Sequence, residues 1–158
     1  MAQARAGRLA VPMDAGKDDA LAALDPKTRA GIRAFVRDFL RRSLTSGAGL
    51  HVIGDDAGVL RGVVAFVRTA LDTQGVASVV LAGNATVAAS LRERALAAPL
   101  LIVERVDFAS ASVRALIAAR VAVRKPVLTT ATDANHAVHT DLAASTLSIP
   151  SPPSNAPA

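Results

Sequence analysis

Short apolar runs alternate with longer stretches of helical periodicity along most of this chain, and this alternation constrains the fold more than any other feature. The runs are rich in Val, Leu and Ile, which is typical of strands buried in a sheet. Helices of ten or more residues between such strands are the crossovers that parallel pairing requires. We therefore predict an α/β fold with three αβα layers and a mostly parallel five-stranded sheet. The predicted strands are 50–53, 77–81, 99–103, 126–130 and 146–149; the predicted helices are 59–72, one that follows Gly83-Asn84 and ends near 97, and 109–122, with a short helix or irregular turn at 134–144.

An additional helix is predicted ahead of the first strand. Asp25-Pro26 is a typical helix start, because Asp caps exposed N–H groups and Pro is tolerated at the first helical position. The helix is predicted over 27–44, with Ile32, Phe35 and Phe39 on its apolar face. We interpret residues 1–24 as a mobile lead-in, 25–150 as a single α/β domain and 151–158 as a disordered Pro-rich tail.

The composition excludes several classes of function. The chain has no Cys, which rules out disulfides and thiolate metal sites and is compatible with a reducing compartment. It has four Phe and neither Trp nor Tyr, which argues against an aromatic platform for single-stranded nucleic acid. No apolar run approaches the roughly 18 residues of a membrane span, and no secretory signal is evident near the N-terminus. The cytoplasm is the expected compartment.

The net charge of +5 is concentrated in the predicted N-terminal helix. Residues 27–44 hold six basic side chains against Asp38 alone, so the rest of the chain is balanced. We expect this helix to contact a protein partner, with sheet-edge surfaces as another contact region; a nucleic acid is a second candidate and a solvated face is the plain alternative. A membrane is not expected, and a homo-oligomer is left open. The candidate partner-binding residues recur every four positions: Arg29, Arg33, Arg37 and Arg41.

In a parallel α/β sheet, functional groups lie at the carboxyl ends of the strands. A phosphate-binding loop after the first strand needs a Gly, four residues, a second Gly, a Lys and a Ser or Thr. Aligned from Gly54, the last three of these positions hold Val59, Leu60 and Arg61, and two carboxylates stand where a triphosphate would lie. We expect the loss of the Lys and the added charges to cost several kcal/mol of ATP binding. The degenerate phosphate-loop positions are Gly54, Asp55, Asp56, Gly58, Leu60 and Arg61.

The side chains at the ends of the third and fourth predicted strands also bear on whether the chain could hydrolyse ATP. A hydrolysing P-loop enzyme carries an Asp that holds magnesium after the third strand, followed by a Glu that orients water. Glu104 and Arg105 occupy this pair, so the water-orienting position holds a cation. Thr130, at the end of the fourth strand, stands where such ATPases place a polar residue that senses the γ-phosphate.

Taken in order, these segments resemble the core of the AAA+ ATPase superfamily. The segment "SGAGLHVIGDDAG" is similar to the approach to a phosphate loop, "APLLIVERVD" to the acidic strand, "RKPVLTTATD" to the sensor strand, and "LSIPSPP" to the strand that closes the core. The resemblance implies an AAA+-like fold, and the broken motifs imply a pseudo-ATPase. The expected function is that of a non-catalytic regulatory or protein-interaction module, without enzymatic activity and without a cofactor.

A second resemblance is to a response-regulator receiver domain, which carries an acidic pair after its first strand. That alternative implies a pseudo-receiver regulatory domain in which Asp55, Asp56 and Glu104 bind a divalent cation. The two alternatives differ in strand order. A core of the AAA+ type places the first strand between the fourth and fifth, whereas a receiver places it between the second and third.

Overall fold

The structure is a computed structural model that describes residues 21–22, 24–41, 49–132 and 144–149. Within these residues, helices and strands alternate as the sequence predicts. The helices are α1 (Pro26–Leu40), α2 (Ala57–Thr73), α3 (Ala89–Ala97) and α4 (Ala111–Ala122), with a single 3-10 turn at Val106–Phe108. The strands are β1 (Gly49–Ile53), β2 (Ser78–Ala82), β3 (Leu100–Glu104), β4 (Val127–Ala131) and β5 (Ala144–Ser148).

The five strands form one parallel sheet in the order β2-β3-β4-β1-β5. The predicted α/β class and the predicted five-stranded sheet are therefore confirmed, and every pairing is parallel. The first strand lies between the fourth and the fifth, so the sheet does not have the order of a receiver domain. This order places β4 between β1 and β3, which decides which strand ends can share a site.

Helices α1 and α2 cover one face of the sheet. Their apolar side chains pack on alternate residues of the central strands, since successive strand side chains point to opposite faces. Helix α1 also approaches β5 closely: a Cβ added at Gly31 would lie 2.9 Å from a methyl carbon of Leu147. The buried residues of this layer include Ile32, Phe35, Leu50, Val52, Leu60, Val63, Val67, Leu100, Ile102 and Leu128.

Helices α3 and α4 cover the opposite face, which completes the three-layer αβα arrangement. Leu101 and Val103 of β3 belong to this second core, whereas Leu100 and Ile102 belong to the first. The second core is completed by Leu81, Ala95, Val106, Val113, Leu116, Ile117, Val127 and Ala131. Each central strand is thus buried on both faces, as its continuous apolar sequence predicts.

Several predicted boundaries need correction. Helix α1 ends at Leu40 with Arg41 as its cap, four residues before the predicted end at 44. Helix α2 begins at Ala57, two residues early, because the Asp56 carboxylate caps it. Leu21 and Leu24, assigned to the lead-in, are buried in the core that α1 covers. Residues 1–20, 133–143 and 150–158 lie outside the described residues, and with them the predicted helix or turn after β4 and the Pro-rich tail. In the part of the chain that the structure describes, no helix is long and apolar enough to cross a membrane.

Candidate ligand site at the carboxyl edge of the sheet

The connection from β1 to α2 is only three residues long, from 54 to 56. Asp56 ends it as the N-cap of α2: its Oδ1 accepts hydrogen bonds from the backbone N–H of Gly58 at 2.8 Å and of Val59 at 3.3 Å. These N–H groups at the start of a helix are the ones that a phosphate would otherwise use. A carboxylate of the chain itself therefore occupies the anion position that a phosphate loop would leave open.

Gly54 is buried and is tied to the sheet rather than to an open loop. Its N–H donates to the carbonyl oxygen of Ala131 at 3.1 Å, and a Cβ at this position would lie 3.2 Å from the side chain of Ile149. The adjacent Ile53 carbonyl accepts a hydrogen bond from Ile149 N–H at 2.7 Å. The backbone at the end of β1 is thus hydrogen-bonded to the strand ends on both sides, at Ala131 and Ile149.

The other phosphate-loop positions lie in the first turns of α2 and point in different directions. Gly58 is exposed, Leu60 is 2% exposed and belongs to the core, and Arg61 is exposed at the edge of the sheet. Because Leu60 stands where the phosphate-binding Lys would be, the change replaces a cation at the site with a packed apolar side chain. Asp55, which precedes the cap, is exposed.

Arg105 is the most constrained residue of the edge. Its backbone is left-handed, with φ 59° and ψ 55°, a conformation that costs a non-glycine residue on the order of 1 kcal/mol or more. Its N–H donates to Thr130 Oγ1 at 3.0 Å, so the predicted sensor residue holds the strand end in place. Its guanidinium donates to both carboxylate oxygens of Asp107 at 3.3 and 3.2 Å and to Thr132 Oγ1 at 3.1 Å. The same guanidinium lies 4.7 Å from the centroid of the Phe108 ring.

The carboxylate of Asp107 anchors this network. Burial by itself would raise the pKa of Asp107, but the hydrogen bonds donated by Arg105 and Thr132, together with the positive charge of Arg105, lower it below its usual range. Asp107 is therefore ionised at neutral pH and neutralises Arg105. Phe108, in the same 3-10 turn, is 62% exposed, which is unusual for a large apolar side chain.

Gly83 brings the end of β2 against the end of β3. Its N–H donates to the Glu104 carbonyl at 2.7 Å, and its own carbonyl accepts from Ser110 N–H at 2.9 Å. A Cβ at this position would lie 2.1 Å from the carbonyl oxygen of Arg105, so only glycine fits. The contact of Gly83 with Glu104 and Arg105 continues the pairing of β2 and β3 beyond their last residues, and it holds the loops after these two strands close together.

The acidic residues considered for a divalent cation are not brought together. Between residues 21 and 132 and over 144–149, as far as these are described, no three His, Asp or Glu side chains form a group that could hold a metal ion. The strand order explains why: β4 separates Asp55 and Asp56, which follow β1, from Glu104, which ends β3, by two strand spacings of about 5 Å each. Asp56 is in addition turned toward its own helix as a cap. The structure therefore gives no support to the cluster of Asp55, Asp56 and Glu104 that the receiver alternative implies.

A cavity of about 340 Å³ opens at the edge, between the start of α2 and the loops after β2 and β3. It combines three residues predicted at strand ends, Glu104, Arg105 and Thr130, with Leu60 and Arg61 of the phosphate-loop positions. The sequence reasoning missed its other members, because Asn84 and Phe108 belong to no motif and become neighbours of the edge only through the strand order. The cavity is completed by Ala57, Ala82, Gly83, Asn84 and Phe108.

The basic positions of α1 lie on a different surface. Arg33, Arg37 and Arg41 are exposed, and Arg29 is half-buried. Arg37 Nε lies 3.3 Å from an Asp38 carboxylate oxygen, an exposed ion pair. The opposite side of the helix carries Ile32, Phe35 and Val36 into the core, so the charged positions form an outward ridge along α1.

Comparison with known proteins finds similarity to this chain among solved structures alone. No protein-family model matches it, and no curated protein matches it. Among solved structures, it is similar to a chain in the structure of Drosophila ORC bound to AT-rich DNA and Cdc6, with 12% identity and a TM-score of 0.46. The similarity covers 83% of this chain and 60% of that chain. At this level the likeness says nothing about function, which has to be argued from the side chains at the sheet edge.

Proposed function

We propose that this chain is an AAA+-like, P-loop ATPase-like domain that neither binds nor hydrolyses ATP and serves as a regulatory or protein-interaction module. The strand order β2-β3-β4-β1-β5 supports the architecture. The observation that carries the loss of nucleotide chemistry is the closed connection between β1 and α2, in which the Asp56 carboxylate takes the helix N–H groups.

The charge distribution supports the same conclusion. A triphosphate at the start of α2 would have to displace Asp56 from Gly58 and Val59, and it would meet a carboxylate instead of the missing Lys. Displacing a helix cap costs about 1 kcal/mol, and losing a hydrogen bond from a Lys to a phosphate costs about 1.5–3 kcal/mol, together about two to three orders of magnitude in affinity. Micromolar ATP binding would therefore fall to the millimolar range or beyond.

The position that should orient water argues against hydrolysis. Arg105 is held by hydrogen bonds to Asp107 and Thr132, and a guanidinium does not accept a proton from water at neutral pH. Among the described residues, no group of three His, Asp or Glu side chains that could hold a metal ion is found. The described part of the edge therefore supplies neither a magnesium site of three such ligands nor a base at the position of Arg105.

Isothermal titration with MgATP, together with a phosphate-release assay, tests this proposal on the full chain. We expect no binding below about 1 mM and no turnover, with an active P-loop ATPase as the positive control. Asp56→Ser serves as the matched variant, because Ser caps a helix without a charge. We expect this variant to remain inactive as well, since Leu60 still replaces the Lys. Hydrolysis by the wild-type chain, or ATP binding at micromolar concentration, would overturn the proposal.

For the interaction role, we favour an acidic protein surface that binds the ridge of α1. The ridge is a single line of cations, with no exposed Ser, Thr, Asn or Gln side chain between Pro26 and Arg41 that could add phosphate or base contacts. Arginine forms bidentate pairs with carboxylates, and residues four apart on a helix lie about 6 Å apart along its axis. A helix with carboxylates at the same spacing would match this line.

A fluorescein-labelled helical peptide with Glu at every fourth position, titrated by anisotropy at 50 and 200 mM salt, tests this surface. We expect the double variant Arg33→Glu, Arg37→Glu to abolish binding. The matched control, Arg68→Glu with Arg92→Glu, changes exposed cations on α2 and α3 and should leave most of the binding intact. Equal losses in both double variants would reject the ridge, and tighter binding to a DNA duplex than to the peptide would favour nucleic acid instead.

A further inference from the structure

Three polar side chains line the mouth of the cavity without a partner among the described residues. Arg61, Asn84 and Glu104 all line it, and none of them makes a side-chain hydrogen bond or ion pair with another residue in the described part of the chain. Glu104 is half-buried, whereas Arg61 and Asn84 are exposed. A half-buried carboxylate without a partner is unfavourable in the empty state and is a ready acceptor for a cation.

The other charges near the cavity are already compensated. Arg105 is neutralised by Asp107, and the Asp56 carboxylate accepts the helix N–H groups of α2. The site therefore offers a ligand one negative group, Glu104, and one positive group, Arg61. A ligand with a single charge would satisfy only one of them.

The rest of the lining includes apolar groups beside Arg105 and Thr130. Leu60 is buried, whereas Ala82 and the Phe108 ring are exposed. The volume of about 340 Å³ is at the lower end of the range of about 300–1,000 Å³ for small-molecule sites. The cavity can therefore hold one compact apolar group with the two charged residues beside it.

We propose that this cavity binds a free α-amino acid with a large apolar side chain. The α-ammonium group donates to the Glu104 carboxylate, the α-carboxylate accepts from the Arg61 guanidinium with the Asn84 amide beside it, and the side chain packs against Leu60 and Phe108. The inference deepens the proposed function, because a regulatory domain that does not bind ATP could respond to a different small molecule and so regulate the binding of a partner. It rests on the proposed function in one respect: ATP must not occupy the cavity.

Isothermal titration of the full wild-type chain with L-phenylalanine tests the inference directly. Two analogues separate the charged contacts: N-acetyl-L-phenylalanine lacks the ammonium group, and L-phenylalanine amide lacks the carboxylate. We expect L-phenylalanine to bind and each analogue to bind about tenfold more weakly or worse, the usual effect of losing one charged hydrogen bond. These measurements need no variant, so a folding defect cannot obscure them.

Substitutions then locate the site. Glu104→Gln should weaken L-phenylalanine about tenfold but leave the N-acetyl analogue unchanged, because that analogue has no ammonium group to lose. Arg61→Gln should weaken L-phenylalanine about tenfold but leave L-phenylalanine amide unchanged, because the amide has no carboxylate to lose. Glu93→Gln and Arg68→Gln are the matched controls, since both residues are exposed and lie outside the cavity. We expect neither to change the affinity.

Two results would overturn the inference. The first is no binding of L-phenylalanine at concentrations up to about 10 mM, a range that covers weak ligands. The second is an affinity for L-phenylalanine that neither Glu104→Gln nor Arg61→Gln changes. Either result leaves the proposed loss of ATP chemistry intact, because that is measured separately with MgATP. Conversely, micromolar MgATP binding would reject the proposed function, whereas the inference would still be decided by the L-phenylalanine titrations alone.

Discussion

Arg120 provides the sharpest test of how this fold is held together. Its side chain is fully buried in α4, and its guanidinium donates to backbone carbonyls at the end of α3 and at the starts of two strands. A helix C-terminus leaves carbonyls unpaired and carries partial negative charge, which a buried cation can satisfy. The acceptors are the carbonyl oxygens of Ala95, Leu96, Ala98, Pro99 and Pro126.

Two opposing terms set the effect of Arg120→Met. Burial lowers the pKa of Arg120 to about 10, which corresponds to a desolvation cost of about 3 kcal/mol that the variant would recover. Against this, the two terminal nitrogens carry four hydrogens, which the five carbonyls share. About four hydrogen bonds at roughly 1.5 kcal/mol each are therefore lost, about 6 kcal/mol. The acceptors are backbone groups, so they remain in place without a donor. We expect a net loss of about 3 kcal/mol, a large part of the roughly 5–15 kcal/mol that stabilises a domain.

Urea denaturation followed by far-ultraviolet circular dichroism measures this loss. Arg114→Met is the matched control: Arg114 is exposed on the same helix, and its replacement should stay within about 0.5 kcal/mol of wild type. Arg120→Lys should fall between the two, because an ammonium has fewer donors and reaches fewer carbonyls. A loss of less than about 1 kcal/mol for Arg120→Met would refute the view that this side chain clamps the end of α3.

Three further predictions concern the opposite edge of the sheet. Asp56→Ala removes the cap of α2 and should cost about 1 kcal/mol in urea denaturation, whereas Asp56→Ser should cost less; equal losses would contradict a capping role. Gly83→Ala places a methyl group against the Arg105 carbonyl and should lower the melting temperature by several degrees, about 1–3 kcal/mol, in a thermal scan; an unchanged melting temperature would contradict the close approach. Asp107→Asn should cost about 1–2 kcal/mol at pH 7. The pKa of Asp107 is lowered in the folded state, so its contribution to stability is present above about pH 4 and is lost as the pH falls through the folded-state pKa. The free energies of unfolding of wild type and variant should therefore converge in acid. A difference that does not change with pH would reject the charge-based explanation.

Much of the fold follows from local pattern. The continuous apolar runs before Gly54 and Glu104 predict buried parallel strands, and the helical stretches between them predict crossovers; both are confirmed within a residue or two, except that α3 begins at Ala89, about four residues after its predicted start. Asp25-Pro26 correctly predicts the start of α1, since capping depends on a few neighbouring residues. The end of α1 was wrong by four residues because no Gly or Pro marks it within the periodic stretch.

The site depends on contacts that sequence patterns do not report. Arg120 sits in an amphipathic helix where a basic residue would normally be exposed, and only the approach of α3 explains its burial. Asn84 and Phe108 become neighbours of Glu104 because β2 and β3 are paired, although no motif links them. The acidic cluster of the receiver alternative finds no support for a similar reason: β4 lies between β1 and β3, so a shared sheet edge does not bring Glu104 beside the carboxylates after Gly54.

By itself, the sequence determined the α/β class and the absence of a phosphate-loop motif after the first strand, because both depend on residues close together in the chain. The absence of Lys at position 60 and the two carboxylates after Gly54 are visible without coordinates. The tertiary structure decided the strand order, the turning of Asp56 onto its own helix, and the cavity that Arg61 and Glu104 both line. These features arise from packing between elements far apart in sequence, where several arrangements satisfy the same local pattern and only the buried contacts select one.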